Sequence, residues 1–453
     1  MFATRFLRGA GRSGIGPLGL LVLFVLCVAP VRAGDFTVRV PPPNGSDDTA
    51  ALQAALDRCV KHGPGCTVQL AAGRYLTRQL LAYEFRGTFK GRGRHATVIE
   101  ALPNLRVDSL VDQTDVYWPP SAEHPWPSLI LFVDGDIRVS DLAVRIPHVP
   151  ATEPWYLAPG WQLAALIDAI RFMGRPRADA SVERVAIEGR EDPSDMGFWG
   201  FNVGNGITYV GEFPKGTGIP FDYYQITGRL TVRASRFESV GAGVYPGIVK
   251  DGRVTIGGSP SAGNVFENVA VGTDLESLEG STVEVSHNRV TGARYAAAWA
   301  VPWCCGFLPT KPSLFSIRDN RLNPTGDFAD GIVLLDDPAT PWIRAHLSSN
   351  TIEAQDIGYG GISAYNTLGT KVLRNRVSGH GADGIGIWNG RGAVVVKNDV
   401  EDFVADYTAD YGHAQIVLDG TTSRTTVVCR TPSDTVLDQG EDNRLVGCQP
   451  VTP

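Results

Sequence analysis

The sequence predicts an all-β chain wound into a parallel β-solenoid, and two interleaved patterns carry that prediction. The first is an apolar residue, two free positions, Asn, one free position and an apolar residue. It occurs five times between residues 281 and 400, at Asn288, Asn320, Asn350, Asn375 and Asn398. Successive Asn residues are 32, 30, 25 and 23 positions apart, which is typical of a coil that carries loops in some of its turns.

Short alternating runs lie between the Asn motifs and end in Asn, Asp or Gly, as strands and their turns do. They are DGIVLLDD from Asp330, GGISAYN from Gly360, DGIGIWNG from Asp383 and HAQIVLDG from His413. Two strands in each repeat, with no room for a helix, indicate the solenoid. In such a coil each Asn can point inward and exchange amide hydrogen bonds with the Asn of the next coil, ~4.8 Å away. We therefore interpret the five Asn residues as a structural ladder rather than as catalytic groups.

The amino-terminal segment has the features of a secretory signal peptide. Arginines precede an apolar run from Leu18 to Ala29, and small residues stand at the first and third places of Val31-Arg32-Ala33, so cleavage is expected after Ala33. No later run is long enough for a membrane span. Loss of the segment removes four arginines and changes the formal net charge from -7 to -11. This acidic balance argues against a nucleic-acid partner, since binding phosphates needs a basic surface.

We expect residues 34–448 to form one domain and the protein to be a monomer. The parts of the chain are the signal peptide at 1–33, the cap and first coils at 34–100, coils with long loop insertions at 101–228, regular coils at 229–448 and a tail at 449–453. Asp48 is placed to cap a helix that Gly63 ends, and the apolar residues of that helix fall on one face. Such a helix would cover the first coil, whose apolar surface and strand edges would otherwise be open.

Six cysteines remain after export, which permits disulfides. The spacing favours Cys59 with Cys66 and Cys429 with Cys448, one pair near each end of the coil. For the adjacent Cys304 and Cys305 we favour two buried thiols over a vicinal disulfide.

The opening of the mature chain resembles that of the pectate-lyase superfamily, the right-handed parallel β-helices. The matching parts are the helix DDTAALQAALD, the strand and turn TVQLAAGRY and the later GRGRHATVIEA, and with the Asn motifs the resemblance extends from Asp35 to Cys448. It implies a right-handed parallel β-helix, secretion, and action on acidic or neutral polysaccharides by lyase, hydrolase or epimerase chemistry. One fold hosts many sites, so the reaction must be argued from residues.

Aromatic-rich segments interrupt the predicted coil between Ala101 and Gln225. Examples are EPWYLAPGW and MGFWGFNVGNG, and the second contains Trp199. Long loops in a compact fold are usually functional or disordered, and disordered loops are poor in aromatics. We expect these loops to build one wall of a substrate groove that includes Trp199. The alternative is that the rings only pack the loops onto the coil.

Alignment of the second strand set places two aromatic residues side by side on the outer surface. Its inward column contains Ile332, Ile362, Ile385 and Ile416. Tyr365 and Trp388 then point outward, one coil apart. Two exposed rings at that spacing can stack on successive sugars, and packing under a loop is the alternative.

Carboxylates cluster around the same strands, and we take Asp330, Asp336, Asp337 and Asp383 as catalytic candidates. Hydrolysis of a glycosidic bond normally uses two carboxyls, ~5.5 Å apart for retention or ~6.5 to 9.5 Å for inversion. Asp330 and Asp383 are predicted two coils apart, about 10 Å by the strand spacing. The adjacent Asp336 and Asp337 could instead bind Ca²⁺. The plain alternative is turn chemistry, since Asp ends many strands.

Three further residues complete the candidate site. His380 lies in SGHGADG, and a Gly-His-Gly also occurs in polygalacturonase-type hydrolases, although no Arg-x-Lys follows here. A lyase or epimerase would need a base for the proton at C5 of a uronate and a cation for its carboxylate. Arg294 and Tyr295 precede the strand at Ala296 and are candidates for contact with the substrate.

These observations predict an exported, secreted or periplasmic protein that binds a polysaccharide and acts on it as a lyase or epimerase of an acidic polysaccharide, with Ca²⁺ as a possible cofactor. A polygalacturonase-like hydrolase is the alternative, followed by a non-catalytic glycan-binding or envelope-structural protein.

Overall fold

Parallel strands stack in every coil that the structure describes, and all pairings between named strands are parallel. The computed structural model describes residues 36–103, 128–147, 168–191, 201–211, 225–302, 309–326, 329–339, 342–357, 359–404 and 414–451. The predicted signal peptide with its cleavage site, most of the aromatic segments, Cys304 and Cys305 lie outside these residues. Within them, 32 strands and helix α1 (Thr49–His62) are formed.

The early strands are β1 (Phe36–Arg39), β2 (Cys66–Gln69), β3 (Gly73–Thr77), β4 (Leu80–Lys90), β5 (Thr97–Ala101), β6 (Ser128–Ser140), β7 (Ala143–Arg145), β8 (Asp168–Glu183), β9 (Ala186–Glu188), β10 (Asn205–Gly211) and β11 (Thr227–Arg233). The middle strands are β12 (Arg236–Lys250), β13 (Arg253–Gly257), β14 (Val265–Glu279), β15 (Thr282–Ser286), β16 (Arg289–Val301), β17 (Ser313–Arg318), β18 (Arg321–Gly326), β19 (Asp330–Leu335), β20 (Ile343–Ser348) and β21 (Thr351–Ile357). The late strands are β22 (Ile362–Tyr365), β23 (Lys371–Leu373), β24 (Arg376–His380), β25 (Ile385–Trp388), β26 (Val394–Val396), β27 (Asp399–Val404), β28 (Ile416–Leu418), β29 (Thr426–Val428), β30 (Thr435–Asp438), β31 (Arg444–Val446) and β32 (Gln449–Val451).

The strands form three stacks, which the chain visits in turn in most coils. Sheet A contains β1, β2, β11, β13, β15, β17, β20, β23, β26, β29 and β31, with the second halves of β4, β6 and β8. Sheet B contains β3, β5, β7, β9, β18, β21, β24 and β27, with the first halves of β12, β14 and β16. Sheet C contains β10, β19, β22, β25, β28, β30 and β32, with the first halves of β4, β6 and β8 and the second halves of β12, β14 and β16. Long strands therefore bend from one sheet into the next.

The predicted inward column of sheet C is confirmed. Ile332 pairs with Ile362, which pairs with Ile385, which pairs with Ile416, and all four are buried. Stacked apolar side chains of this kind fill the interior of the coil, because identical registers bring like residues over one another.

The predicted Asn ladder is also confirmed, and it begins one coil earlier, at Asn264. Nδ2 of each ladder Asn donates to a backbone carbonyl of the preceding coil at 2.8 to 3.0 Å, and in all but the last, Asn398, it also donates to Oδ1 of the next Asn at 2.9 to 3.1 Å. Oδ1 of each Asn after Asn264 accepts from the backbone N–H of the preceding Asn, and Asn264 Oδ1 accepts from the Ser235 N–H. From Asn264 to Asn398 the ladder thus satisfies buried polar groups at the turns between sheets A and B. The sequence pattern missed Asn264 because Ser261 stands where the pattern requires an apolar residue.

Helix α1 covers the first coil and buries Leu52 and Leu56 against it. Asp48 stands at the N-cap, but its side chain makes no capping bond, which corrects the prediction. Its carboxylate accepts instead from the backbone N–H groups of Asn44 at 3.0 Å and Leu76 at 3.2 Å, so Asp48 fastens the helix start to strand β3.

Both predicted disulfides are present, Cys59–Cys66 beside the helix and Cys429–Cys448 near the last coils. Across the described segments, no helix is both long and apolar enough to cross a membrane.

Candidate active site on the outer face of sheet C

One column of outward residues runs along sheet C and contains several polar groups. In register along it are Arg171, Thr208, Tyr245, Asp274, Trp299, Val333 and Ser363. The position of Tyr245 beside Asp274 follows from the flanking pairs, Val244 with Thr273 and Gly247 with Glu276. We call this surface the C face. The aromatic segments at 104–127, 148–167 and 192–200 precede its early strands in the sequence.

A carboxyl pair, Asp274 and Glu276, lies on β14 in the middle of the C face. Alternate residues of a strand share a face, so the sequence Thr-Asp-Leu-Glu turns both acids outward. Asp274 is 4% exposed, and its buried Oδ1 has no hydrogen-bond partner among the described residues. Burial raises the pKa of Asp274 well above its usual range, the neighbouring Glu276 adds to that rise, and burial raises the pKa of Glu276 to about 7. The pair therefore holds one proton more firmly than two separate carboxyls would.

Tyr245 completes this cluster from the preceding coil. Its hydroxyl donates to Oε2 of Glu276 at 3.0 Å, and burial raises the pKa of Tyr245, so the hydroxyl stays a donor. The ring lies over Gly247: a Cβ there would be 3.0 Å from both Cζ and Oη of Tyr245. Gly247 is also in register with Glu276. A residue without a side chain at this place lets the phenol reach the carboxylate.

A buried ionic network adjoins the pair on the amino-terminal side. Asp168 accepts from Arg171 Nη1 at 3.2 Å, Asn205 Nδ2 at 3.0 Å and Thr208 Oγ1 at 2.7 Å, and all four residues are buried. The Arg171 charge also opposes the rise in the pKa of Tyr245. Moving Arg171 away would leave the Asp168 charge buried and uncompensated, which is costly. The network therefore fixes the position of Arg171 in the C face.

Four residues predicted from the sequence come together further along the C face. Asp330, 6% exposed, accepts at Oδ1 from the Gly360 N–H at 2.9 Å and the Ser363 hydroxyl at 2.7 Å. Burial raises the pKa of Asp330 to about 7, and Asp383 adds to the rise. Asp330 and Asp383 occupy equivalent positions two coils apart, with Gly360 between them.

Tyr365 and Trp388 are neighbours, as predicted, with parallel rings whose centroids are 6.0 Å apart. The indole lies back over Gly386, because a Cβ there would overlap its Nε1. Burial raises the pKa of Tyr365 to about 12, and Asp330 and Asp383 contribute to the rise. Asp330, Asp383, Tyr365 and Trp388 therefore form one cluster.

Asp336 and Asp337 make a turn after β19, next to that cluster, because the Asp336 N–H donates to the Tyr365 carbonyl at 3.0 Å. The Asp336 carboxylate accepts from the backbone N–H groups of Asp337, Trp342 and Ile343 at 2.8 to 2.9 Å. Asp337 accepts from the Ala339 N–H at 2.7 Å. No group of three or more His, Cys, Asp or Glu side chains suited to a metal occurs in the described part of the chain. The Ca²⁺ prediction for these two residues stays a prediction.

Arg294 and Tyr295 directly precede the part of β16 that belongs to sheet C, and the remaining predicted side chains lie outside the described residues. Arg294 pairs with Glu191 at 2.8 Å, donates to Asn268 and lies 4.6 Å over the ring of Phe201. Tyr295 beside it is half-buried. The backbone of His380 ends β24, but its side chain, like all of Trp199, lies outside the described residues.

Sequence reasoning missed the residues at the centre of the C face, namely Asp168, Arg171, Tyr245, Asp274, Glu276 and Trp299. The acids predicted from the sequence lie where strands end in turns, whereas Asp274 and Glu276 lie inside a long strand. The alternation Thr-Asp-Leu-Glu was a usable signal, because two acids on one face of a buried strand are costly unless they have a role.

Solved structures share the fold at low sequence identity. No protein-family model matches the chain, and no curated protein matches it. The DFA-IIIase from Arthrobacter chlorophenolicus A6 is 13% identical with a TM-score of 0.53, over 86% of this chain and 94% of that one. The A-module of the Azotobacter vinelandii mannuronan C-5 epimerase AlgE6 is 14% identical with a TM-score of 0.47, over 90% and 96%. The periplasmic alginate epimerase AlgG is 12% identical with a TM-score of 0.42, over 84% and 78%.

Identities in this range concern the fold alone. The similarity to the DFA-IIIase structure, together with the three stacked parallel sheets, shows that the chain has the right-handed parallel β-helix fold.

Proposed function

We propose that the protein hydrolyses glycosidic bonds of a polysaccharide, with Asp274 and Glu276 as its catalytic carboxyls. The observation that carries the proposal is the buried pair of neighbouring carboxyls, in which Asp274 Oδ1 has no hydrogen-bond partner among the described residues. Strongly perturbed carboxyls in a cleft are typical of acid–base catalysis. A buried acceptor without a partner favours a ligand that supplies one.

Each residue of the cluster has a distinct chemical role in this proposal. Asp274, whose pKa burial raises well above its usual range, donates a proton to the leaving oxygen. Glu276, whose carboxylate accepts from Tyr245, either activates a water molecule or attacks the sugar. Two residues apart on one strand, the Cα atoms are ~6.6 Å from each other, so side-chain rotation can separate the carboxyls to the ~5.5 Å of a retaining pair.

The charges on the C face favour a neutral glycan. Beside Tyr245 lie Asp274 and Glu276, and the nearby Arg171 guanidinium already forms a salt bridge with Asp168. A uronate carboxylate would meet the Glu276 carboxylate while the Arg171 charge is already engaged by Asp168, and like charges at close range repel. The aromatic Trp299, half-buried on the coil next to Asp274, offers an apolar surface for a sugar ring.

A lyase or epimerase acting on an acidic polysaccharide is the second candidate. One observation favours it: the Tyr245 hydroxyl and the Arg171 guanidinium lie near each other, and such a pair can transfer a proton and neutralise a uronate carboxylate. Hydrolysis comes first because Asp168 already engages Arg171.

We also infer an exported protein. Disulfides persist in oxidising compartments, and the Cys59–Cys66 and Cys429–Cys448 bonds fit a periplasmic or secreted location. The same proposal includes cleavage of the signal peptide after Ala33 and a monomeric mature protein.

The test is incubation of the mature chain with neutral glycans (pullulan, inulin, galactan) and acidic ones (pectin, alginate, a glycosaminoglycan), with and without Ca²⁺. Reducing ends and the ultraviolet absorbance of unsaturated products are followed together. We expect new reducing ends from a neutral glycan without added absorbance, and a loss of at least about 100-fold in Asp274→Asn and Glu276→Gln. The control Glu353→Gln, an exposed acid paired with Arg321 elsewhere, should retain activity.

Other results would redirect the proposal. A rise in absorbance with an acidic glycan would select the lyase, and a changed uronate stereochemistry without cleavage would select the epimerase. Glycan retention with no chemical change would indicate a binding protein. Full activity of Glu276→Gln would place the chemistry away from β14. Dependence on Ca²⁺, lost in Asp337→Ala, would support the predicted metal site.

A further inference from the structure

The cluster around Tyr365 and Trp388 has no role in the proposed reaction, yet it lies on the same C face. Ser363, which interacts with Tyr365 in this cluster, belongs to the same outward column as Asp274, in register through Trp299 and Val333. Three strand intervals separate Asp274 from Ser363, which is ~14 Å, and Trp388 lies one coil beyond. The two clusters are therefore parts of one continuous surface.

The cluster combines the two features by which proteins hold sugars. The Tyr365 and Trp388 rings are parallel and half-buried, so each keeps some ring surface accessible to the C–H groups of a sugar. Polar groups lie directly beside the rings, since the Ser363 hydroxyl interacts with Tyr365 and donates to Asp330. A few placed polar groups beside apolar surface give a binding site its orientation and specificity.

Two glycines shape this place. Gly360 lies between Asp330 and Asp383, and a Cβ there would be 2.5 Å from the Ser363 hydroxyl oxygen. Gly386 admits the indole of Trp388 over the strand. With larger residues at these positions, neither the hydroxyl nor the indole could keep its present place. The arrangement therefore depends on local packing and not on chance exposure of two rings.

We propose that Tyr365 and Trp388, with Ser363, Asp330 and Asp383, form a distal subsite that binds a sugar unit of the same glycan chain. This rests on the proposed function, in which the chain is cut at Asp274 and Glu276. Because a sugar unit and a strand interval are of similar length, the subsite holds a unit about three or four units from the bond that is cut. The substrate is consequently a glycan chain, and short oligosaccharides do not reach the subsite.

The experiment compares long and short substrates in two variants and one control. Trp388→Ala removes the indole, and Gly386→Ala displaces it while keeping the residue. Leu368→Ala, an exposed residue in the turn after β22, controls for local folding. The first readout is kcat/KM on the polysaccharide that the wild type cleaves and on its dimer and trimer. The second is retention in gels of pullulan, inulin, pectin and alginate, and all retention measurements use a Glu276→Gln background.

We expect both Trp388→Ala and Gly386→Ala to lower kcat/KM about tenfold on the polysaccharide and to leave the short substrates unchanged. Retention of the same polysaccharide should fall in parallel, and Leu368→Ala should behave as wild type. Equal loss on long and short substrates, or no loss on either, would overturn the subsite while the hydrolase proposal stands. If no glycan is cut but one is retained and released by Trp388→Ala, the subsite stands and the hydrolase proposal falls. Absence of both cleavage and retention would overturn both.

Discussion

The Tyr245 hydroxyl donates a 3.0 Å hydrogen bond to Oε2 of Glu276 across two neighbouring coils of sheet C. Burial raises the pKa of Glu276 to about 7, while this bond lowers it by stabilising the carboxylate. The protonation of the proposed catalytic base is thus set by a residue 31 positions earlier in the chain.

Tyr245→Phe should therefore move the acidic limb of the pH–activity profile to higher pH. Phe cannot donate, so the pKa of Glu276 rises and a smaller fraction of the carboxyl is ionised below neutral pH. We expect kcat/KM to fall more at pH 6 than at pH 8, measured on the glycan that the wild type cleaves. Tyr75→Phe, which removes a 2.7 Å bond to Pro41 O near the helix, is the matched control. A uniform loss at all pH values would mean that Tyr245 does not act through Glu276.

Gly247→Ala should reproduce part of that shift in the pH profile without changing either Tyr245 or Glu276. The added Cβ would be 3.0 Å from the Tyr245 Cζ and Oη, so the phenol must shift by a few tenths of an ångström. We expect the acidic limb to move in the same direction as in Tyr245→Phe, with a smaller displacement and an almost unchanged melting temperature. Gly420→Ala is the control, because its nearest neighbour, Gln439 O, is 3.7 Å away. An unchanged pH profile in Gly247→Ala would show that the contact tolerates the extra carbon.

The regular coils could be predicted closely from the sequence because their signals are local. Alternation within a strand and the recurrence of Asn set the register of Ile332, Ile362, Ile385 and Ile416, which the structure reproduces. The pairing of Tyr365 with Trp388 followed from the same register.

The centre of the C face could not be predicted in that way. Asp274 and Glu276 lie on β14, which bends across two sheets, so its residues show no separate strand boundary. The partner of Glu276 is on another coil, and the pKa shifts come from burial, which depends on tertiary structure. Asp48 shows the same limit of prediction from the sequence, since its carboxylate accepts a hydrogen bond from strand β3 and not from the helix that it precedes.

The Asn ladder should be weaker at its end than in its middle. The Asn320 side chain makes four hydrogen bonds: it donates to Asn350 and Val285 and accepts from the backbone N–H and the side-chain amide of Asn288. The Asn398 side chain makes three. We expect Asn320→Ala to lower the free energy of unfolding by on the order of 2–4 kcal/mol, because it leaves buried partners unsatisfied on two coils. Asn398→Ala should lower the free energy of unfolding by a smaller amount. The measurement is the urea midpoint at constant pH, and equal midpoints would contradict a ladder whose bonds support one another.

Asp330→Asn should make stability less dependent on pH. The folded-state pKa of Asp330 is raised from 3.8 to about 7, so the folded chain holds this proton more firmly than the unfolded chain does. Stability from this group is present at low pH and is lost as pH rises from about 4 through about 7, because the unfolded chain releases the proton first. Asn keeps an oxygen for the Gly360 N–H and the Ser363 hydroxyl but does not ionise. When the pH rises from 4 to 8, the free energy of unfolding of the variant should increase relative to that of the wild type by on the order of 2–4 kcal/mol. Urea unfolding at both pH values measures this gain, and parallel pH dependence of the two proteins would show that the buried Asp330 does not hold the proton.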